Sequence, residues 1–164
     1  VGRKCMSSLS IRFLIGVLIT FILTIIPLPI FVEGFRPFWL LLFVLYFQFY
    51  RPGYFGVFGL FFLGLLLDVL LCSVMGEHAC ALLLTLSIAE SKMRRFEFLS
   101  IAQQMICITV LSMLYQAVIV LIDSSLGYNT KALFTLEAIL SSVLCWPWIK
   151  LLLDNLMQSY ERYR

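Results

Sequence analysis

Six stretches of the chain, roughly 11–32, 36–50, 54–72, 78–93, 99–122 and 132–153, are almost continuously apolar, with little polar sequence between them. A helix needs about 20 such residues to cross the hydrocarbon core of a bilayer. The second and fourth stretches are short, so each has to sit where the bilayer is thinned, lean on neighbouring helices, or run past these bounds. With 62% hydrophobic and 13% charged residues, against about 25% charged in a typical soluble domain, the chain could not cover its own surface with polar groups. Its mean hydropathy is +1.03. The pattern predicts an all-α integral membrane protein: one transmembrane domain over 1–164, built as a six-helix bundle. Beyond Lys150, Leu153, Leu156, Met157, Tyr160 and Tyr163 recur at helical spacing among polar residues, which predicts an amphipathic cytoplasmic tail over 154–164.

The basic residues give the bundle a sidedness. Six spans place Arg3, Lys4, Arg12, Arg51, Lys92, Arg94, Arg95, Lys150, Arg162 and Arg164 on one side and Arg36 and Lys131 on the other. The positive-inside rule then puts both termini in the cytoplasm. Merging the second and third spans would move Lys92, Arg94 and Arg95 outside and spoil the division, so charge supports six spans independently of hydropathy. The first stretch is longer than the apolar core of a signal peptide, and no A-x-A cleavage site follows it. The outer loops, around Glu33, around Glu77–His78 and over 123–131, are short. The net charge of +3 is too small and too scattered for nucleic-acid binding.

Within the third span, GVFGLFFLGLLLDV carries one carboxylate. At about 100° per residue, Gly53, Gly56, Gly59, Gly64 and Asp68 fall on one broad face, and Phe55, Phe58, Phe62, Leu65 and Val69 on the opposite one. Small residues let helix backbones approach in lipid, so the glycine side is expected to pack against protein and the phenylalanine side to meet hydrocarbon. A charge at mid-bilayer costs about 2.5–3.5 kcal/mol on insertion scales, so Asp68 needs shelter, a partner or a proton. Arg36 lies 15 residues before Arg51, and Asp68 lies 15 residues after Gly53. If spans two and three are antiparallel neighbours, both reach about 22 Å from their turn. An Arg36–Asp68 ion pair near the outer interface is one expectation; solvation of both at the interface is the other.

Other polar residues carry weaker signals. Cys72 and Cys80 flank a short loop and could pair, while Cys107 and Cys145 sit in apolar runs as small hydrophobes. Glu77 and His78 between those cysteines superficially suggest a metal site, but the spacing is not that of a zinc centre, and a polar turn capping the fourth span is the expectation. Glu137 is either a buried functional carboxylate or an interfacial one. Gln103, Gln104, Ser112 and Gln116 are expected to hydrogen-bond between helices, with a ligand pocket as the alternative. Pro147 is expected to kink the sixth span. Trp146 and Trp148 beside it suit an interfacial anchor or a docking groove. Catalysis finds no footing: GxSxG, HExxH, a phosphate-binding glycine loop and a metal-binding acid cluster are all missing from the sequence, and no cofactor is implied.

Phe35-Arg36-Pro37-x-Trp39-Leu40-Leu41, then Gly64-x-x-x-Asp68, then Gly76, and finally Trp146-Pro147-Trp148 resemble MreD, the rod shape-determining membrane protein family of bacteria. The similarity extends over nearly the whole chain in length, span order and motif order. It implies residence in the bacterial inner membrane and a place in the complex that elongates the lateral cell wall. Implied partners are MreC, a bitopic protein with a periplasmic domain, together with MreB filaments, a SEDS-family glycan polymerase and a class B penicillin-binding transpeptidase. It also implies a helix arrangement like that of the substrate-binding subunits of vitamin importers, and no enzymatic activity. A scaffold that packs against a partner's transmembrane helix, through spans two, three or six, fits such short loops. The rival function is a binding subunit for a small molecule or a lipid-linked precursor, with Asp68, Glu137 and the polar groups of span five lining an outward-facing cavity. An apolar-filled interior would argue against that rival.

Overall fold

The computed structural model describes residues 2–26, 36–50, 56–92, 96–127 and 132–161; over 2–12, 92, 97, 132–135 and 156–161 it describes the backbone alone. The loop around Glu33, Phe35, the Arg51-Pro52-Gly53 turn, Phe55, Arg94, Arg95, Lys131, Arg162, Tyr163 and Arg164 lie outside those residues. The described structure is all helical. It comprises α1 (Gly2–Ile25), α2 (Trp39–Tyr50), α3 (Val57–Leu71), α4 (Glu77–Lys92), α5 (Ile101–Ser125) and α6 (Ala132–Glu161), with a 3-10 turn at Phe96–Phe98 ahead of α5.

Local chemistry explains several of the helix boundaries. α2 begins just after Pro37, whose carbonyl accepts from the Trp39 N–H at 2.9 Å. α3 ends at Cys72, which turns left-handed at φ 51° and donates its N–H back to the Asp68 and Val69 carbonyls. α5 opens on a capping box: the Ser100 hydroxyl accepts from Gln103 N–H, and the Gln103 side chain accepts from Ser100 N–H. Gln103 is therefore a helix cap rather than the inter-helix contact expected of it. α6 runs through Pro147 without interruption to Glu161, so residues 154–161 continue the sixth helix. Two segments, Ile101–Ser125 and Leu136–Asn155, are long and apolar enough to cross a membrane, while Phe13–Ile25, Trp39–Tyr50 and Val57–Leu71 are shorter apolar helices.

The short second helix leans on its neighbours. Eight consecutive residues of α2, Leu40 to Phe47, are buried, the signature of a helix enclosed on all sides. α1, α3, α4, α5 and α6 contact one another in that series, and α2 lies inside against α1, α4 and α6. Gly16 of α1 permits one of these contacts: a Cβ there would stand 2.6 Å from the Phe43 ring. Phe13 also packs on that ring and, edge-on, on Phe47 at 5.2 Å. The outer helices are apolar on their free faces, as with Leu14 and Leu18 of α1, Phe58 of α3, Leu84 of α4, Leu121 of α5 and Leu144 of α6, all exposed. Exposed apolar surface this extensive needs hydrocarbon or protein to cover it. Because α2 is enclosed, it offers no such face, which removes it from the spans expected to meet a partner.

Candidate functional site

The third and fourth helices form a hairpin clasped by Asp68. Its carboxylate is fully buried and faces the N-terminus of α4. Oδ2 accepts from Gly76 N–H at 2.8 Å, and Oδ1 accepts from His78 N–H at 3.0 Å. The His78 Nδ1 lies 2.8 Å from Oδ1, and the Ser73 hydroxyl donates to the same oxygen at 3.2 Å. A carboxylate can only accept, so the ring nitrogen that faces it, Nδ1, carries a proton. Asp68 thereby satisfies two of the N–H groups that a helix start leaves without partners, and it places negative charge at the positive end of the α4 dipole. Gly76 turns at φ +95°, a backbone conformation glycine adopts without strain.

Close packing beneath the clasp depends on Gly64. A Cβ there would overlap the Ala79 Cα and would lie 2.7 Å from Ala79 N. Beside the clasp, the His78 ring meets Tyr115 of α5 at 6.2 Å, and Tyr115 meets Phe38 at 5.3 Å. The Phe38 N–H, ahead of α2, donates to Ser142 of α6 at 2.9 Å. Glu77 is buried next to this group. Burial first, then the charges of Asp123 and Asp68, raise its pKa from 4.5 to about 7, against a backbone hydrogen bond at Val74 that lowers it.

The Arg36–Asp68 ion pair is not formed. Arg36 donates instead to the Ile26 carbonyl at 3.1 Å, and its Nε is buried without a partner. The expectation failed because α3 lies along α4 rather than α2, and because four nearer donors fill the Asp68 carboxylate. The glycine face also divides. Leu60, Gly64, Leu67 and Asp68 are buried, whereas Gly56 and Gly59 are exposed, and a Cβ on either meets nothing within 4 Å. Phe58, Phe62 and Val69 are exposed, the outward side expected of them.

A second polar group sits at the far end of the bundle. Gln104 of α5 donates to the Leu99 carbonyl at 3.0 Å, and its Oε1 accepts from Lys150 Nζ at 3.2 Å and from the Trp146 indole at 3.5 Å, both on α6. Trp146 is fully buried and edge-on to Phe96 at 5.8 Å, so it is a core residue rather than an interfacial anchor. Trp148 is 71% exposed. Phe96 stacks on Phe49 of α2 at 3.8 Å. Tyr46 donates to Asp154 at 2.5 Å, and Lys150 stands over the Tyr50 ring. Periodicity hides these contacts, since they join residues from 42 to 108 positions apart. For the clasp, a carboxylate followed by a Ser, a turn Gly and a His within ten residues was the available signal.

The remaining candidates stand apart from both groups. Pro37 is buried, and Glu137 is half-buried near the start of α6. Ser112 is fully buried, and its hydroxyl has no partner. Gln116 lines a groove of about 650 Å³ between α5 and α6, with Met113, Val120, Leu121 and Leu136; this groove opens on the outside of the bundle. Cys72 and Cys80 are both free thiols. Among the described residues no group of three or more His, Cys, Asp or Glu side chains is placed to hold a metal ion.

Comparison with known proteins gives this architecture a family. The family model described as rod shape-determining protein MreD matches residues 7–156. The rod shape-determining protein MreD of Haemophilus influenzae is 31% identical over 146 residues, covering 87% of this chain and 88% of that protein. No solved structure matches the chain. A match of that extent settles the relationship, and the chain belongs to the MreD family of rod shape-determining membrane proteins.

Proposed function

We propose that the protein is a non-enzymatic scaffold of the bacterial cell-wall elongation complex, a single six-span domain of the inner membrane with both termini in the cytoplasm. It binds MreC through a transmembrane helix and so helps maintain rod shape. MreB, the SEDS-family glycan polymerase and the class B penicillin-binding transpeptidase are further members of that complex. One observation carries this assignment: α2 fills the interior, while the free faces of the other five helices are apolar. A bundle whose central helix is enclosed by its neighbours has its outer faces to offer, and the apolar packing around α2 weighs against the small-molecule binding alternative.

The N-terminal half of α3 is the face we assign to the MreC helix. Gly56 and Gly59 are uncovered there, with Phe58 and Phe62 fully outward beside them. Helix association in lipid relies on close backbone approach at small residues rather than on a hydrophobic drive. The test is copurification of MreC from native membranes with the wild type and with Gly59→Leu. The variant is expected to keep its thermal stability, because the added side chain points into open space, and to lose most of the MreC. Equal recovery with both proteins would remove α3 as the contact, and recovery of no single-span partner with the wild type would remove the scaffold assignment.

A further inference from the structure

The groove between α5 and α6 carries a polar group that the chain itself does not satisfy. Met113, Gln116, Ala117 and Val120 line its α5 wall, and Leu136 and Ile139 its α6 wall. The four α5 residues recur at i, i+3, i+4 and i+7, the spacing of a helix face that seats against another helix. Gln116 stands 15 residues after Ile101 and nine before Ser125, so about 13 Å or more of helix separates it from either end of α5. Its amide offers two donors and one acceptor, yet among the described residues it makes no hydrogen bond. The Ser112 hydroxyl, one turn earlier on α5, is likewise buried without a partner. Water does not reach this depth of a bilayer, acyl chains bring neither donor nor acceptor, and an amide left unpaired in apolar surroundings is costly.

The occupant of the groove therefore has to bring both a donor and an acceptor to the height of Gln116. A second copy of this chain does so by symmetry. When two copies are inserted in the same sense, the twofold axis between them runs along the membrane normal, and every residue stands at the same height in both. Two Gln116 amides that meet across this axis each donate to the other and accept in return. Ala117 beside Gln116 is small and exposed, which lets two α5 helices approach closely in lipid. Met113 and Leu121, one turn to either side of Ala117 and exposed at 51% and 68%, form the ridge that each copy offers to the groove of the other. A single polar residue in an otherwise apolar helix seam is also how paired helices fix their register and their number. We propose that the groove between α5 and α6 is the interface of a homodimer, held in register by Gln116 pairing with Gln116 of the second copy. A lipid would fill the groove and leave the amide unpaired, and a foreign helix would satisfy it only with a polar side chain of its own at this height. α3 packs on α4 and α1, so the dimer leaves the face assigned to MreC free.

The experiment uses the full chain, labelled in separate batches with a donor and an acceptor fluorophore and reconstituted together in phosphatidylethanolamine–phosphatidylglycerol vesicles. Energy transfer above the level of random encounter is expected, falling as lipid is added and as unlabelled chain competes. Gln116→Leu is expected to weaken self-association by about tenfold, and Gln116→Asn, which keeps a self-complementary amide, to retain most of it. Leu18→Ala, on the exposed face of α1, is expected to change nothing. Random-level transfer in the wild type overturns the dimer, and equal association in Gln116→Leu overturns the role of the amide. Gln116→Cys needs no loss of association to be informative. Oxidised in the vesicles with copper phenanthroline, it is expected to yield a 116–116 crosslink by peptide mass spectrometry; transfer without that crosslink places the contact on another face and refutes this one. The inference takes its membrane placement from the function proposed above. A chain that fails to insert in the vesicles sinks that placement and the dimer together, whereas a chain that inserts as a monomer sinks the dimer alone and leaves the scaffold assignment to the copurification test.

Discussion

Removing the Asp68 carboxylate distinguishes a clasp between adjacent helices from an ion pair across the bundle. In Asp68→Ala the Gly76 and His78 N–H groups lose their acceptor at the start of α4, as do the His78 ring and the Ser73 hydroxyl. Each buried donor left without a partner costs about 1–3 kcal/mol. Partial rehydration at the turn offsets part of that sum, and a net loss of about 3–5 kcal/mol follows, comparable to stripping one partner from a buried charged pair. For a chain of this length the Tm in detergent should fall by about 10 °C, with faster amide exchange concentrated over residues 74–80. Paired variants supply the discriminating measurement. Asp68→Ala and His78→Ala should couple by about 0.5–3 kcal/mol, whereas Asp68→Ala and Arg36→Ala, which share no partner, should add within about 0.3–0.5 kcal/mol. A coupling to Arg36 larger than that to His78, or an unchanged Tm in Asp68→Ala, would refute the clasp.

Gly64→Ala forces a Cβ to 2.7 Å from Ala79 N and should cost about 1–3 kcal/mol through overpacking, whereas Gly59→Ala, with open space around it, should hold the Tm or raise it slightly through helix propensity. Glu77 binds its proton more tightly in the folded chain, with a pKa raised from 4.5 to about 7. Its contribution is therefore full below about pH 4.5 and is lost as pH rises to about 7. The Tm should fall by several degrees across that interval, and Glu77→Gln should flatten the slope. Gln104→Leu strips the acceptor from the Trp146 indole and from Lys150 and should cost about 1–3 kcal/mol in thermal unfolding.

Hydropathy located all six helices because burial in lipid and burial in protein impose the same apolar run, and for that reason it could not say which one applied. α2 and α3 read alike in sequence, yet one is enclosed and the other is open along its first half. The position of Asp68 on the packed side of α3 was legible from the wheel, since a carboxylate among leucines has to face protein. Its partner was not, because loop length suggested that α2 and α3 are neighbours, while helix order in the bundle is set by contacts distant in sequence. Trp146 and Trp148 make the same point. Two tryptophans two residues apart on a helix point in different directions, so one became core and the other surface, although either suits an interface by composition.

The polar side chains that join helices collect at the two ends of the bundle. On α5, Tyr115 beside the clasp and Gln104 in the far group are 11 residues apart, about 16 Å along the axis. Between them the bundle interior is almost wholly apolar, and in hydrocarbon apolar contact alone does little to choose one helix order over another. Hydrogen bonds at fixed heights do choose, because a register slip of a single turn would part Asp68, Gln104 and Ser142 from their partners. The clasps thus fix which helices are adjacent, and the glycines at 16 and 64 fix how closely they approach. With order and spacing set from within, the outward residues of α1, α3 and α6 are free of any duty to hold the fold together. They can change to suit a partner helix without unfolding the chain, as the proposed scaffold role requires.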